Sequence, residues 1–314
     1  MSAEGRSRPT ASTVACDRSV VGGRLSRLVS VTRLRFSRLR LTFQRVPELS
    51  ETRTGQLRLW LCLLGGLVEF YVDAARSDRI RRIRVGHGNK ARTLYLRGNG
   101  VDVYTFYATF IKGIYDAALP LPRGAVIVDL GANIGLTAAY WALVCEDARV
   151  VAVEPESSNV GLLQMNVSPA DVSIHHAAIA ERCGTASLEI RGATGHTVVA
   201  DETEQGSDSQ TIQMITPDFL EAIEELRHVD LIKADIEGAE AGVFTRPWKL
   251  LQKCETIIME IHQASVRADI VRLLAHEGFS HLPGERVDFP DVFRRDQNDG
   301  TTESGCGDRT HETR

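Results

Sequence analysis

Short apolar segments alternate with amphipathic segments along the middle of the chain, between about residue 90 and residue 294. Five of the apolar segments are rich in β-branched residues and have the length of single strands. We predict these strands at residues 125–130, 150–154, 172–179, 229–234 and 255–261. Helical patterns separate them, and this alternation is typical of βαβ units. We therefore expect an α/β fold built around a largely parallel sheet.

The predicted helices have recognisable ends. Thr216 is a capping residue followed by Pro217 at the first helical position, Pro247 should end or kink a helix, and Gly278 should end another. The helices cover residues 135–145, 157–166, 216–227, 239–251 and 265–277. Two antiparallel pairs complete the pattern. The first is a hairpin at 185–199, followed by a surface loop at 201–209 and a strand at 212–215. The second is a pair at 279–282 and 286–294, at the far edge of the sheet.

Composition divides the 314 residues into four parts. We expect a basic leader with little order at 1–56, a helical and β upstream segment at 57–122 that packs on the core, the α/β domain at 123–294, and a polar, disordered tail at 295–314. A hydrophobic content of 43% is enough for a buried core. The net charge of −4 provides no overall field for nucleic acid, so we predict no nucleic-acid partner.

The basic leader and the cysteines bear on location. Residues 24–45 contain seven arginines and no acidic residue, which leaves open a peripheral contact with anionic lipid. The apolar residues 59–68 are too few for the ~20 that a membrane span needs, so we interpret them as a packed helix. The six cysteines lack the spacing of a zinc site and suit a reducing compartment. We therefore expect a cytoplasmic protein.

A glycine-containing turn follows the first predicted strand and precedes a helix, as nucleotide sites require. Its GxxxG spacing lacks the middle glycine of the dinucleotide fingerprint, which argues against NAD. The second strand ends at Glu154, where a carboxylate can accept hydrogen bonds from both ribose hydroxyls. We therefore predict a nucleoside site. Its residues are Asp129, Gly131, Ala132, Asn133, Gly135 and Glu154.

These blocks resemble, in order along the chain, the FkbM family of S-adenosylmethionine-dependent methyltransferases. The similar blocks are residues 128–135, 153–155 with Asn159, 230–240 and 259–262, together with Leu96, Arg97, Asp102 and Tyr115 upstream. The resemblance covers roughly residues 94–293, and the chain has Gln263 where the family usually has an aspartate. It implies a Rossmann-like class I methyltransferase sandwich, with a mostly parallel seven-stranded sheet and an antiparallel edge strand. It also implies S-adenosylmethionine as cofactor and a small-molecule acceptor, usually a hydroxyl of a sugar or of a polyketide or glycolipid type of natural product.

Methyl transfer to a hydroxyl needs a general base or a cation near the acceptor oxygen. Asp235 and Glu237 follow the fourth strand, and Glu260 and His262 lie at the end of the fifth. All four should meet where open α/β sheets bind ligands. We predict His262 as the base, because an ordinary pKa of ~6.5 suits proton abstraction near neutrality, with Asp235 and Glu237 beside it.

The residues leave several alternatives open. Asp235 could orient the amino group of the cofactor, and Mg²⁺ could bind at Asp235, Glu237 and Glu260, although we do not predict a metal. Lys233 should form an ion pair with one of these acids. An NAD-dependent oxidoreductase and a non-catalytic, cofactor-binding relative are the other two functions that the sequence permits.

Overall fold

The computed structural model describes residues 40–50, 52–72, 79–168, 171–191, 195–199, 209–284 and 289–296. A helix, α1, spans residues 40–49 inside the predicted leader, so the expectation of little order up to residue 56 does not hold there. Residues 1–39 of that leader, residues 297–314 of the predicted tail and most of the predicted loop at 201–209 lie outside the described residues.

The upstream segment continues with helices and one hairpin. Its elements are α2 (Arg53–Val72), β1 (Ile80–His87), β2 (Lys90–Arg97), α3 (Gly100–Phe106), a π-helical turn (Tyr107–Lys112) and a 3₁₀ turn (Asp116–Ala118). The apolar residues 59–68 fall within α2. Within the described ranges, none of the helices combines the length and the apolarity that a bilayer crossing would require.

The sheet domain follows in chain order. Its elements are β3 (Val126–Leu130), α4 (Leu136–Val144), β4 (Arg149–Glu154), α5 (Ser157–Val167), β5 (Val172–His176), β6 (Ala178–Ile179), β7 (Gly184–Arg191), β8 (Gly195–Val199), β9 (Ser209–Ile215), α6 (Pro217–Ile223), β10 (Val229–Ala234), α7 (Glu240–Val243), α8 (Lys249–Gln252), β11 (Cys254–Met259), α9 (Ala264–His276), β12 (Phe279–Leu282) and β13 (Asp291–Arg295).

Seven strands form the main sheet in the order β12-β13-β11-β10-β3-β4-β5. Only the pairings of β13 are antiparallel, so the predicted seven-stranded, mostly parallel sheet is confirmed. The antiparallel strand β13 lies one position in from the edge, between β11 and β12, whereas we placed it at the edge.

The direction of strand addition reverses between β3 and β10. From β3 the chain adds β4 and β5 on one side, and it then returns to add β10 and β11 on the other. The carboxyl ends of β3 and β10 therefore border a crevice, which is where such sheets bind ligands. Leu130 and Ala234 pair in register, so the two loops that follow leave the sheet at the same level.

One apolar core joins the upstream segment to the sheet domain. Trp141 of α4 is completely buried, and Leu94 and Leu96 of β2 and Phe106 of α3 are in the same core. Burying each of these side chains contributes about 1.5–3 kcal/mol relative to leaving it exposed. The contacts between the upstream segment and α4 are therefore part of what stabilises the fold.

Several local predictions differ from the structure. The predicted third strand is interrupted at Ala177, and its second part, β6, joins a separate sheet of order β6-β9-β7-β8, in which β7 and β8 form the predicted hairpin. The single helix predicted at 239–251 is two short helices, α7 and α8, since Pro247 lies between them. The helix that Thr216 caps ends at Ile223, before a left-handed residue at Glu225.

Candidate active site

A concave pocket that is partly open to solvent lies at the carboxyl ends of β3, β4 and β10, and we call it the rim cavity. Ile179 and Leu188 form part of an apolar wall. The lining also includes three residues of the predicted nucleoside site, Gly131, Asn133 and Glu154. Two predicted catalytic residues line it as well: Glu237, and Asp235, which was also predicted to bind the cofactor.

The two glycines of the turn after β3 are required by the protein's own packing. Gly131 has a φ of +74°, and a Cβ there would lie 1.8 Å from the backbone oxygen of Asp235. Gly135 has a φ of +80°, and its Cβ would lie 2.4 Å from Leu163 of α5. We predicted that these glycines admit a ligand close to the backbone. The structure shows a further reason for them, since the loop after β10 and helix α5 lie in the space that side chains would occupy.

Three predicted cofactor-binding residues do not line the rim cavity: Asp129, Ala132 and Gly135. Asp129 is completely buried and accepts a hydrogen bond from Thr137. Lys233 lies with its Nζ 3.2 Å from Oδ1 of Asp129 and donates to the backbone oxygen of Gly131 at 2.7 Å. Lys233 is thus paired with Asp129 and not with the acids for which we predicted an ion pair.

The Lys233 ammonium stays charged in this buried position. Burial alone would lower the pKa of Lys233, but the carboxylates of Asp129 and Asp235 outweigh it and raise that pKa above its ordinary value. A charged lysine that reaches from β10 to the oxygen of Gly131 fixes the turn after β3 against the sheet. The role of Asp129 and Lys233 in this structure is to hold the loop.

Glu154, at the end of β4, is held rigidly in the wall of the rim cavity. Its Oε2 accepts from the backbone N–H of Asn133 at 2.8 Å. Its Oε1 accepts from the backbone N–H of Glu156 at 3.0 Å and from Nδ2 of Asn159 at 3.1 Å. Charge-assisted bonds of this kind favour an ionised carboxylate in one orientation. The predicted ribose-binding residue therefore lies in the wall of the rim cavity with its carboxylate held in one orientation.

The loops after β10 and β11 bring the predicted catalytic residues together. Nε2 of His262 is 3.6 Å from Oδ1 of Asp235 and 3.7 Å from Oε2 of Glu237. Nδ1 of His262 is 2.8 Å from Oε1 of Glu240, a carboxylate with 0% exposure. We did not predict a role for Glu240. The available signal was its place at the end of the block at 230–240 on which the family resemblance rests.

His262 does not have the ordinary pKa on which its prediction as a base depended. The hydrogen bond with Glu240 raises the pKa of His262 to about 9, with further contributions from Asp235 and Glu237 that outweigh partial burial. The imidazole is therefore a cation at neutral pH. This corrects the expectation that it is free to take a proton near pH 7.

Glu260 has a pKa close to neutrality. Burial, followed by repulsion from Asp235, raises the pKa of Glu260 to about 7. The hydroxyl of Tyr115 donates to Oε1 of Glu260 at 3.4 Å, and burial raises the pKa of Tyr115 well above its ordinary value. Tyr115 therefore remains a neutral hydrogen-bond donor beside this acid.

Among the described residues, Asp235, Glu237 and His262 offer metal-ligand atoms within 4.8 Å of one another. The magnesium site that we considered from the sequence consisted of Asp235, Glu237 and Glu260, whereas this group contains His262 in place of Glu260. A cation at this site would have to displace the proton from His262. With a pKa of about 9, that displacement costs about 3 kcal/mol at pH 7.

The sheet order, the crevice at the reversal point and the acidic residue after β4 define a Rossmann-like class I methyltransferase fold. Comparison with protein families agrees with this, because residues 129–281 match the model described as the methyltransferase FkbM domain. The family resemblance predicted from the motifs is therefore confirmed over these residues.

Curated relatives are also methyltransferases by name. Methyltransferase 1 of Beauveria bassiana is 24% identical over 212 residues, which cover 58% of this chain and 83% of the relative. Methyltransferase sdnD of Sordaria araneosa is 26% identical over 60% of this chain and 86% of its own length. The hexuronic acid methyltransferase AglP of Haloferax volcanii is 29% identical over 180 residues, 55% of this chain and 72% of the relative.

Solved structures with some similarity include the fibrillarin of Aeropyrum pernix in complex with S-adenosylmethionine. It is 14% identical, covers 71% of this chain and 84% of its own, and has a TM-score of 0.38. A likeness of this size does not bear on what the chain binds.

Proposed function

We propose that this methyltransferase uses S-adenosylmethionine to methylate a hydroxyl oxygen on a small-molecule acceptor of the sugar or natural-product type. The observation that carries the proposal is Glu154, an ionised carboxylate fixed by three hydrogen bonds in the wall of the rim cavity. The name of the relative AglP, a hexuronic acid methyltransferase, supports a sugar-type acceptor.

The residues of the rim cavity fit such a cofactor. Glu154 would accept hydrogen bonds from the ribose, and Ile179 and Leu188 provide apolar surface for a base. Oδ1 of Asp235 is buried without a hydrogen-bond partner in the described part of the chain, which suits a cationic group placed beside it. When bound, S-adenosylmethionine supplies an electrophilic methyl group on a positively charged sulfur.

The acid–base roles follow from the charges in the cluster. The imidazolium of His262 would lie near the acceptor and lower the pKa of its hydroxyl, because a positive charge favours the alkoxide. The hydroxyl proton would pass to the carboxylate of Glu260, whose pKa of about 7 matches neutral conditions. Asp235 and Glu237, which line the rim cavity, lie 3.6 Å and 3.7 Å from Nε2 of His262, which itself lies behind them, outside the residues that line the cavity. In this proposal His262 acts as a cation, and Glu260 replaces it as the base.

Calorimetric titration of the purified protein with S-adenosylhomocysteine and, separately, with NAD tests the cofactor. We expect binding of the first and none of the second, and selective binding of NAD would refute the proposal. The acceptor is tested with methyl-labelled cofactor and a panel of uronic acids, neutral sugars and hydroxylated natural products. Mass spectrometry should find one added methyl group on an oxygen. Binding without transfer to any member of the panel would instead favour a non-catalytic relative.

A further inference from the structure

We propose that Arg97 and Asp102, which belong to the upstream segment, are positioning residues that orient Glu154 through the side chain of Asn159. The upstream segment would in this way set the affinity for the cofactor. This inference rests on the proposed function, because it assumes that Glu154 binds the ribose of S-adenosylmethionine.

Asp102 holds the guanidinium of Arg97 in one plane. Nε of Arg97 donates to Oδ2 of Asp102 at 2.9 Å, and Nη2 donates to Oδ1 at 3.1 Å. The backbone N–H of Arg97 adds a third bond to Oδ2 at 2.8 Å. Asp102 is itself fixed, since it is 1% exposed and its backbone N–H donates to the capping side chain of Asn99. The side chains of this pair are mostly buried, so it is not an ordinary surface ion pair.

The fixed guanidinium determines which way the amide of Asn159 points. Nη2 of Arg97 also donates to Oδ1 of Asn159 at 2.7 Å. Arginine has donors only, so it can meet only the oxygen of that amide. The NH₂ group of Asn159 must then face the other way, where it donates to Oε1 of Glu154 at 3.1 Å. A flipped amide would place two donors against each other and an oxygen against a carboxylate.

The three side chains form one path between the upstream segment and the cofactor site. Asn159 is 2% exposed and Glu154 is 5% exposed, so water has little access to replace a lost partner. An anchor that only stabilises the fold would affect the free energy of unfolding. A path that orients Glu154 should also affect ligand binding, and only while Glu154 keeps its carboxylate.

A double-mutant cycle on S-adenosylhomocysteine affinity, measured by calorimetry, separates these roles. Arg97→Met should weaken binding by about tenfold in the otherwise unchanged protein, since one charge-assisted contact to the ligand loses its alignment. In the Glu154→Gln background the same substitution should change affinity less than about twofold. Arg97→Lys should rescue only part of the loss, because an ammonium lacks the planar fork that meets Asp102 and Asn159 together.

Arg92→Met is the matched control. Arg92 lies on the same strand, and its Nη1 donates to the backbone oxygen of Asn166 in the same helix as Asn159, at 3.2 Å. It therefore anchors the upstream segment to α5 without touching Asn159 or Glu154. Urea denaturation should show a loss of stability for both methionine variants, whereas only Arg97→Met should lower affinity.

Two results would overturn the inference. Arg97→Met could leave affinity unchanged while Glu154→Gln lowers it, or it could weaken binding equally in both backgrounds. If Arg97→Met does not fold, Asp102→Asn frees the guanidinium at nearly constant volume and should show the same dependence on Glu154. Failure of the unchanged protein to bind S-adenosylhomocysteine would refute the proposed function as well, so the two failures are distinguishable.

Discussion

Replacing Glu154 by glutamine removes one negative charge from the rim cavity at almost constant side-chain volume. A carboxylate accepts hydrogen bonds through both oxygens, whereas an amide has one oxygen and an NH₂ group. The NH₂ group would have to face either the N–H of Asn133 or the two donors that now meet Oε1. The substitution therefore affects both the charge that the ribose meets and the alignment of the turn after β3.

The size of the effect follows from the ligand bond that is lost. A hydrogen bond to a charged group contributes about 1.5–3 kcal/mol, and each 1.4 kcal/mol is about a tenfold change in affinity. We therefore expect the dissociation constant of S-adenosylhomocysteine to rise by about 10- to 140-fold in calorimetric titration. A larger loss would indicate that the turn has also moved.

Glu156→Gln is the control for this substitution. Glu156 is a buried glutamate two residues further on whose carboxylate accepts from Ser158, and it does not line the rim cavity. Its substitution should leave the affinity within about twofold. If Glu154→Gln bound S-adenosylhomocysteine as tightly as the unchanged protein, the assignment of Glu154 to the ribose would be wrong.

Three further predictions concern the catalytic cluster and the loop. As the pH increases, kcat/KM should rise around pH 7, where Glu260 loses its proton, and fall around pH 9, where His262 loses its proton. A single rise around pH 9 would show that His262 is the base. Gly131→Ala should abolish cofactor binding and lower the urea midpoint, because the added Cβ would lie 1.8 Å from a backbone oxygen. The control is Gly161→Ala within α5, where an added Cβ would have no neighbouring atom within 4 Å. It should leave binding unchanged and stabilise the fold by about 0.5–1 kcal/mol. Lys233→Met should lower the free energy of unfolding by about 3–5 kcal/mol, since Asp129 would remain buried without its partner. A loss below about 1 kcal/mol in urea denaturation would contradict that pairing.

The strands of the sheet could be predicted closely from the sequence because buried parallel strands read as continuous apolar runs. Strand β10 spans the predicted residues, and β3 and β4 differ from the prediction by one residue at their first position. The helical pattern at 239–251 was less informative, because a proline and a change of direction lie within it. The prediction of the antiparallel pair was right about its pairing, whereas its place one strand in from the edge depends on contacts distant in the chain.

The candidate site, like the fold, could be predicted from the sequence only in part. Position along a strand was enough to bring Glu154, Asp235 and Glu237 to one cavity. The protonation state of His262 could not be predicted from the sequence, because its pKa depends on the buried carboxylate of Glu240 at the start of α7. Similarly, the sequence predicted Asp129 as a cofactor residue, and only the structure shows that Lys233 and Thr137 surround it.

Asp235 connects the cofactor loop to the catalytic cluster, so the two cannot be varied independently. Its backbone oxygen occupies the space beside Gly131, and its side chain lies 3.6 Å from His262. A displacement of the turn after β3 must therefore move the loop after β10, and with it the carboxylate that faces the imidazolium. Substitutions on either side of this contact should affect affinity for the cofactor and the rate of transfer together. Substitution of Arg97, which reaches this turn only through Asn159 and Glu154, should change affinity with a much smaller effect on kcat.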